Sequence, residues 1–258
     1  MKLSDYPAQE PLSEAGQVYG AECWKRSDGI AFREEKYGTD ACQRLAIFEP
    51  KKPDGRVLLF WHGGGWTSGY KEWFGFMAPP LTAAGVTFVS AGYRLAPQHV
   101  FPAGLDDCYA ALSWVSQHLG GKPFIGGHSA GGHYAALIAA RQGAKLVRGC
   151  LPISGVYEFG EGSGLSARPR FLGADAATDR AASPRYELKA PLPAFLVAYG
   201  TKDFAHLIPQ AERFVEAVRA AGGTAEALPM EGRTHFSASY AGGEADGPWV
   251  PRALRFTS

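Results

Sequence analysis

The chain is predicted to fold as an α/β protein, with a mostly parallel central sheet that is covered by helices on both faces. Short apolar stretches alternate with helix-forming stretches over most of its 258 residues, which is the pattern of a parallel sheet. Several of these stretches, such as Val57–Trp61, are apolar at every position, as expected of strands buried on both sides. Two helical stretches end in glycine pairs, at 120–121 and 222–223, which is a common way for a helix to stop.

The individual elements follow from local patterns. Alternation and turn residues predict a hairpin over 30–50, whose second strand covers 45–48. Apolar runs predict the further strands at 57–61, 86–91, 123–126, 147–153, 194–199 and 224–228. Helical spacing or helix-forming composition predicts helices at 73–84, 105–119, 132–141, 209–221 and 249–256.

Two stretches lack a clear period. Residues 1–29 are polar and are predicted to form an irregular arm that packs over the domain, with Tyr6, Tyr19 and Trp24 as docking points. Residues 155–193 are predicted to lie over the carboxyl edge of the sheet, where folds of this kind bind ligands. We therefore expect a single domain, 1–258, in which 1–29 and 155–193 form a small lid.

The composition is that of an ordinary globular protein, with 46% hydrophobic and 20% charged residues. The 26 basic and 25 acidic side chains give a net charge of +1, and no basic run stands out. This balance argues against nucleic acid and anionic membranes as partners. The sequence leaves open whether the chain forms a homo-oligomer.

The cysteines and the first residues of the chain indicate the cellular compartment in which the protein is expected. The cysteines are far apart and show no Cys-x-x-Cys pairing, which argues against a zinc site and favours free thiols at Cys23, Cys42, Cys108 and Cys150. Residues 1–20 include acidic side chains and lack the apolar core of a signal peptide. No apolar run approaches the length of a membrane span. A cytoplasmic protein is therefore expected.

The stretch 127–131 reads Gly-His-Ser-Ala-Gly and lies between a predicted strand and a predicted helix. A turn of this kind holds the serine in a strained conformation with its hydroxyl exposed, and the two glycines avoid collisions with the adjoining strand and helix. The next N–H, that of Ala130, lies at a helix N-terminus and faces anything bound there. The pattern predicts Ser129 as a nucleophile.

A serine hydroxyl needs a base to become nucleophilic, and that base needs an acid to orient it. Asp203 and His235 each follow a predicted strand, at 194–199 and 224–228, and the chain order Ser, Asp, His fits this kind of fold. We expect them at the same sheet edge as Ser129. Other acids and histidines have less suitable positions, and these are Asp175, Asp179, His99, His118, His128, His133 and His206.

A second glycine-rich loop, His-Gly-Gly-Gly-Trp at 62–66, directly follows a predicted core strand. When a serine attacks a carbonyl group, the oxygen becomes an oxyanion, and each N–H donor held there contributes about 3–4 kcal/mol. Glycines let the backbone approach the substrate closely, so the loop predicts an oxyanion site. No Gly-Lys-Ser/Thr follows either glycine stretch, which argues against a nucleotide-binding loop.

Some residues allow more than one interpretation. His128 and His133 suggest a metal, but no third ligand has a suitable spacing. Asp106 and Asp107 resemble paired catalytic acids, but the first turn of a helix is where carboxylates suit the helix dipole. Core packing is expected for at least half of the aromatic residues Trp66, Trp73, Phe74 and Phe76. The residues expected to line a substrate pocket are Trp66, His128, Phe204 and Phe236.

The loop at 62–66, the turn at 127–131, Asp203 and His235 together resemble the α/β-hydrolase superfamily. Within it, Tyr-Arg-Leu-Ala-Pro at 93–97 and Phe-Pro-Ala at 101–103 resemble the hormone-sensitive-lipase-like esterases. The stretches 66–72, 76–81 and 153–157 are similar to the arylformamidases, also called kynurenine formamidases, as are Ser-Pro at 183–184 and His-Phe at 235–236. The likeness runs from about residue 45 to the C-terminus and is weakest over 155–193.

The resemblance implies the α/β-hydrolase fold, no cofactor, and an oxyanion site formed by the N–H groups of Gly64, Gly65 and Ala130. The chain departs from the arylformamidases at Gly65. It departs from the esterases at Phe204, where they often have a proline, and in its shorter N-terminal region. Ester and formamide substrates therefore both remain open.

We expect a serine carboxylesterase that cleaves small esters through an acyl-serine intermediate, because the short lid leaves little sequence to enclose a long acyl chain. The alternative is an arylformamidase acting on N-formylkynurenine or a related aryl formamide. A third interpretation is a ligand-binding member of the fold without catalysis.

Overall fold

The computed structural model describes residues 3–258, and a single eight-stranded sheet organises them. The strands are β1 (Arg33–Lys36), β2 (Arg44–Phe48), β3 (Val57–Trp61), β4 (Thr87–Ala91), β5 (Phe124–His128), β6 (Gly149–Ile153), β7 (Ala194–Lys202) and β8 (Ala225–Thr234). Their order in the sheet is β1-β2-β4-β3-β5-β6-β7-β8. The pairs β1–β2 and β2–β4 are antiparallel and all other pairs are parallel, as predicted.

The helices lie between and around these strands. They are α1 (Glu14–Ser27), α2 (Ala78–Ala83), α3 (Ala103–His118), α4 (Ala130–Leu146), α5 (Thr178–Ala182), α6 (Leu207–Ala220), α7 (His235–Tyr240) and α8 (Val250–Phe256). Short 3₁₀ helices cover Leu3–Asp5, Lys71–Met77, Pro184–Tyr186 and Ala241–Gly243. None of the helices in this described part of the chain has the length and apolar character needed to cross a membrane.

Two hydrophobic layers enclose the sheet because successive side chains of a strand point to opposite faces. On β3, Leu59 belongs to the layer that contains the buried faces of α3, α4 and α6. Its neighbours Leu58 and Phe60 belong to the other layer, with buried residues of α1, α2, α7 and α8. The fully buried strands explain why the runs that predict them are apolar at every position.

The prediction of an irregular arm over 1–29 is wrong, because Glu14–Ser27 form α1 and residues 1–2 lie outside the described part of the chain. The Ser13 side chain accepts from the N–H of Gly16, which caps the helix. Its buried residues, Gly16, Tyr19, Gly20 and Cys23, recur at helical spacing. The expected packing of this segment over the domain is confirmed, since α1 lies against the 3₁₀ helix Lys71–Met77.

The segment 155–193 contains α5 and one 3₁₀ helix between irregular stretches. Phe159, Phe171 and Leu172 are buried in the main core layer, so part of this segment is integral to the core.

The strand β8 extends six residues beyond the predicted end at 228, and its pairing with β7 is irregular between Gly200 and Lys202. The four cysteines are free thiols, as expected, and all of them are buried.

Candidate active site

Four neighbouring strands each deliver one polar residue to the carboxyl edge of the sheet. Ser129 follows β5, Ser154 follows β6, Asp203 follows β7 and His235 follows β8. Because parallel strands end at the same edge, these residues meet although they are distant in the chain. The irregular pairing of β7 with β8 adds residues to β8 just before His235, and such bulges commonly re-aim the side chain that follows.

The structure brings Ser129, His235 and Asp203 into one hydrogen-bonded series. Nε2 of His235 lies 2.9 Å from Oγ of Ser129, and Nδ1 lies 2.8 Å from Oδ1 of Asp203. Asp203 and His235 are only 8% and 5% exposed, so little water competes for these bonds. The arrangement can transfer the serine proton to the imidazole while the carboxylate stabilises the resulting charge.

The turn that carries Ser129 needs both of its glycines. Ser129 has φ 53° and ψ −116°, a left-handed conformation that is uncommon for residues other than glycine. A Cβ on Gly127 would lie 2.2 Å from the backbone carbon of Gly131, and one on Gly131 would lie 2.0 Å from the carbonyl oxygen of Trp61. The predicted role of the glycines, which is to avoid collisions on either side of the serine, is confirmed.

The loop at 62–66 packs directly against this turn. A Cβ on Gly63 would lie 2.9 Å from Nδ1 of His128 and 3.2 Å from Cβ of Ser129. Gly64 has φ 122°, and its carbonyl accepts from the N–H of Ser68 at 3.0 Å, so a compact turn holds the loop. Gly64 and Gly65 line the same cavity as Ser129, and Ala130 is the first residue of α4, where N–H groups lack partners within the helix.

Asp203 is held ionised by its hydrogen bonds. Burial alone would raise its pKa, but bonds from His235, Ser154 and the N–H of Phe204 hold that pKa below its ordinary value. Ser154 donates to Oδ2 at 2.5 Å, and the N–H of Phe204 donates to Oδ1 at 2.7 Å. The carboxylate is therefore fixed in charge and in orientation.

A cavity of about 310 Å³ opens in front of Ser129. The four predicted pocket residues, Trp66, His128, Phe204 and Phe236, all line it. Further wall residues come from the N-terminal segment and from 155–193, and they are Leu12, Gly16, Tyr19, Val156, Leu165 and Arg170. The ring of Phe204 is 46% exposed and stacks on His235 with 4.4 Å between ring centroids. Trp73 also lines the cavity, whereas Phe74 and Phe76 belong to the core, as expected for half of these aromatic residues.

The competing acids have structural partners elsewhere. Asp179 pairs with Arg168 at 2.6 Å, and Asp175 accepts from the N–H of Ala177. Asp107 is buried and forms an ion pair with Arg94 at 2.7 Å. These contacts leave Asp203 as the carboxylate that faces the imidazole of His235.

The two histidines that suggested a metal are engaged separately. Nδ1 of His133 accepts from the indole N–H of Trp66 at 3.1 Å, and Nε2 lies 2.7 Å from the carbonyl oxygen of Ala182. Both nitrogens of His128 also have protein partners, in a different part of the structure. Within residues 3–258, no three histidine, cysteine, aspartate or glutamate side chains are grouped as a metal site would need.

Sequence reasoning missed three residues that contact the site. Ser154 bonds Asp203, Tyr19 bonds His128, and the amide of Gln9 bonds both the N–H and the carbonyl of Gly69, at 2.8 and 3.0 Å. The position of Ser154 just after β6 was a usable signal, because its neighbours in the sheet carry Ser129 and Asp203. No local pattern marked Gln9, and Tyr19 was expected only as a docking point of the N-terminal segment.

The sheet order and the placement of Ser129, Asp203 and His235 at its carboxyl edge are those of an α/β-hydrolase fold. A family model for the alpha/beta hydrolase fold matches residues 58–238, and the chain belongs to that family. The carboxylesterase NlhH of Mycobacterium tuberculosis is 42% identical over 90 residues, which are 32% of this chain and 28% of NlhH. The esterase LipC of the same organism is 30% identical over 223 residues, or 73% of this chain and 55% of LipC.

A solved structure extends the likeness. The thermophilic esterase Est2 of Thermogutta terrifontis, with propionate bound, superimposes with a TM-score of 0.68 and 26% identity, covering 80% of this chain and 86% of Est2. The matched regions span about half of LipC and less than a third of NlhH, so the chain corresponds to part of these two relatives.

Proposed function

We propose that this protein is a serine carboxylesterase that hydrolyses small carboxylic esters through an acyl-serine intermediate. The observation that carries the proposal is the hydrogen-bonded series Ser129–His235–Asp203 at the mouth of a cavity. The names of the relatives, a carboxylesterase and two esterases, support the choice of ester as substrate.

In the proposed reaction, Nε2 of His235 takes the hydroxyl proton as Oγ of Ser129 attacks the ester carbonyl. The N–H groups of Gly64, Gly65 and Ala130 donate to the oxyanion. The tetrahedral intermediate expels the alkoxide, which receives the proton from His235, and the acyl group stays on Oγ. Water activated by His235 then attacks the acyl group and releases the acid, while Asp203 stabilises the imidazolium in both steps.

The size and walls of the cavity support a small acyl ester. Its volume of about 310 Å³ lies at the lower end of ligand pockets, and aromatic and aliphatic side chains dominate its walls. Segments 1–29 and 155–193 both contribute wall residues, and an ion pair between Glu10 and Arg170 joins them. We propose that these segments together are the small lid over the site.

Labelling and substitution test the proposal. A fluorophosphonate probe is expected to label Ser129, and Ser129→Ala is expected to abolish labelling and lower kcat for p-nitrophenyl acetate by about 10⁴–10⁶-fold. His235→Ala should lower kcat to a similar extent, and Asp203→Asn by less. A fully active Asp203→Asn variant would exclude Asp203 as the acid, and absent labelling would favour a ligand-binding role.

The ester and formamide alternatives require a direct comparison. We expect a higher kcat/KM for short aryl acetates than for N-formylkynurenine. A preference for the formamide by several orders of magnitude would instead identify an arylformamidase. We also propose a cytoplasmic location, which the four free cysteines support, because reducing compartments keep thiols free.

A further inference from the structure

The imidazole of His128 connects the N-terminal helix α1 to the main chain of His235. Nδ1 of His128 lies 3.2 Å from the hydroxyl oxygen of Tyr19, and Nε2 lies 2.9 Å from the carbonyl oxygen of His235. Tyr19 is 4% exposed and His128 is 1% exposed, so water does not replace either partner. Tyr19 lies 109 residues from His128 in the chain, and His128 lies 107 residues from His235.

The chemistry of the partners fixes where the protons lie. A carbonyl oxygen only accepts, so Nε2 of His128 must carry the hydrogen. Burial, together with the nearby His235, lowers the pKa of His128 to about 3, so the ring is neutral and Nδ1 is an acceptor. The Tyr19 hydroxyl therefore donates to Nδ1, and the two hydrogen bonds run in one direction from α1 to the carbonyl of His235.

Tyr19 also contacts the helix that begins at His235. Its ring stacks on Phe236 with 4.8 Å between centroids, and its hydroxyl oxygen lies 3.1 Å from Oγ of Ser239. Both residues belong to the six-residue helix α7. Tyr19 thus holds the main chain that carries His235, whereas Asp203 holds its ring.

We infer that Tyr19 is a positioning residue for catalysis, which acts through His128 to set the place of His235 relative to Ser129. The inference rests on the proposed function and adds α1 to the parts of the chain on which the reaction depends. A displacement of about 1 Å at a reacting group lowers rates by up to about 100-fold, so one buried hydrogen bond at this place affects kcat.

Tyr19→Phe tests the inference, because it removes one oxygen and keeps the stacked ring. We expect kcat for p-nitrophenyl acetate to fall about 10-fold while KM stays within about twofold, since substrate contacts are retained. Tyr240→Phe is the matched control, because its ring also stacks on Tyr19, whereas the hydroxyl that contacts His128 and Ser239 is that of Tyr19. This control is expected to keep the wild-type kcat.

A second variant separates positioning from loss of folding. Tyr19→p-aminophenylalanine restores a hydrogen-bond donor at the same place and is expected to recover most of the kcat that Tyr19→Phe loses. Imidazole ¹⁵N spectra should show the neutral Nε2–H form of His128 in the wild type. The inference is overturned if Tyr19→Phe keeps full kcat, if the amino variant does not recover activity, or if Tyr240→Phe loses as much. A wild-type protein that neither labels nor turns over any ester would instead overturn the proposed function.

Discussion

The N–H of Phe204 donates to Oδ1 of Asp203 at 2.7 Å, and the same oxygen lies 2.8 Å from Nδ1 of His235. The residue after the acid therefore helps to hold the carboxylate that orients the imidazole. Esterases that the sequence resembles often have a proline at this place, and proline has no N–H to donate. In this chain, Phe204 supplies both the N–H that bonds Asp203 and the ring that stacks on His235.

Two substitutions at position 204 separate the contributions of the N–H and of the ring. Phe204→Ala keeps the N–H and loses the ring that stacks on His235, whereas Phe204→Pro loses both. A hydrogen bond to a charged group contributes about 1.5–3 kcal/mol, so we expect kcat/KM of the proline variant to lie at least 10-fold below that of the alanine variant. Equal values for the two variants in steady-state assays would mean that this N–H has no catalytic effect.

The buried strands of the sheet were predictable because burial on both faces leaves a local pattern. The continuous run Val57–Trp61 and the glycines around Ser129 each report a physical constraint that involves nearby residues. Asp203 and His235 could be predicted because each follows a predicted strand and because the chain order Ser, Asp, His fits this kind of fold. This is why the candidate catalytic residues could be placed before any contact was known.

The helix α1 escaped prediction because two of its four buried residues, Gly16 and Gly20, are glycines. A Cβ on Gly20 would lie 2.9 Å from the ring of Trp73, so the helix approaches its neighbour through a glycine that is unfavourable for helices by itself. Tyr19 contacts His128, which is 109 positions away in the chain, and Gln9 contacts Gly69, which is 60 positions away. Such contacts depend on the packed fold and leave no local signal.

Buried histidines are expected to make the fold sensitive to acid. Burial lowers the pKa of His62 to about 4 and that of His133 to about 3, below the ordinary value of about 6.5, and His128 behaves in the same way. At a pH between these lowered pKa values and about 6.5, the three histidines bind protons in the unfolded chain but not in the folded chain. The free energy of unfolding should therefore be highest above about pH 6.5 and fall below it, by up to about 4 kcal/mol per pH unit for the three together.

Urea unfolding between pH 7 and pH 5 measures this slope. His133→Gln should reduce the slope by about a third, although it also lowers stability at pH 7 because the bonds to Trp66 and Ala182 change. A slope in His133→Gln that equals the wild-type slope would show that this histidine does not titrate on unfolding.

Gly131, two residues after Ser129, is not expected to tolerate a methyl group. A Cβ on Gly131 would lie 2.0 Å from the carbonyl oxygen of Trp61 and 2.6 Å from that of His62, so the turn or β3 must move. We expect Gly131→Ala to lower stability by about 3 kcal/mol and kcat by more than about 100-fold.

Gly121→Ala provides the control for backbone strain alone. Gly121 has φ 70°, but a Cβ there meets no atom within 4 Å. This variant should lose only about 1 kcal/mol and keep its activity. If both alanine variants behave alike in thermal unfolding and in esterase assays, the close approach of Gly131 to β3 is not what constrains the turn.

Gln9 should influence catalysis through the loop that carries the proposed oxyanion donors Gly64 and Gly65. Its amide accepts from the N–H of Gly69 at 2.8 Å and donates to the carbonyl of Gly69 at 3.0 Å, and the next residue, Glu10, donates its N–H to the carbonyl of Thr67. Gln9→Glu keeps the acceptor but places a carboxylate oxygen against a carbonyl, and Gln9→Ala removes both bonds. We expect kcat to fall in the order wild type, Gln9→Glu, Gln9→Ala, by about 5-fold to 10-fold at each step, with KM nearly constant because the oxyanion forms only during the reaction.

The matched control is Gln17→Glu, the same change at an exposed position of α1. It should leave kcat unchanged, and the fluorophosphonate labelling rate should follow kcat across the series, since both reactions would develop negative charge in the proposed oxyanion site. A rise in KM with constant kcat would place Gln9 among substrate-binding contacts. Unchanged kinetics with a lower unfolding midpoint would limit Gln9 to docking the N-terminal segment, because a positioning role requires that the chemical step respond to the two lost hydrogen bonds.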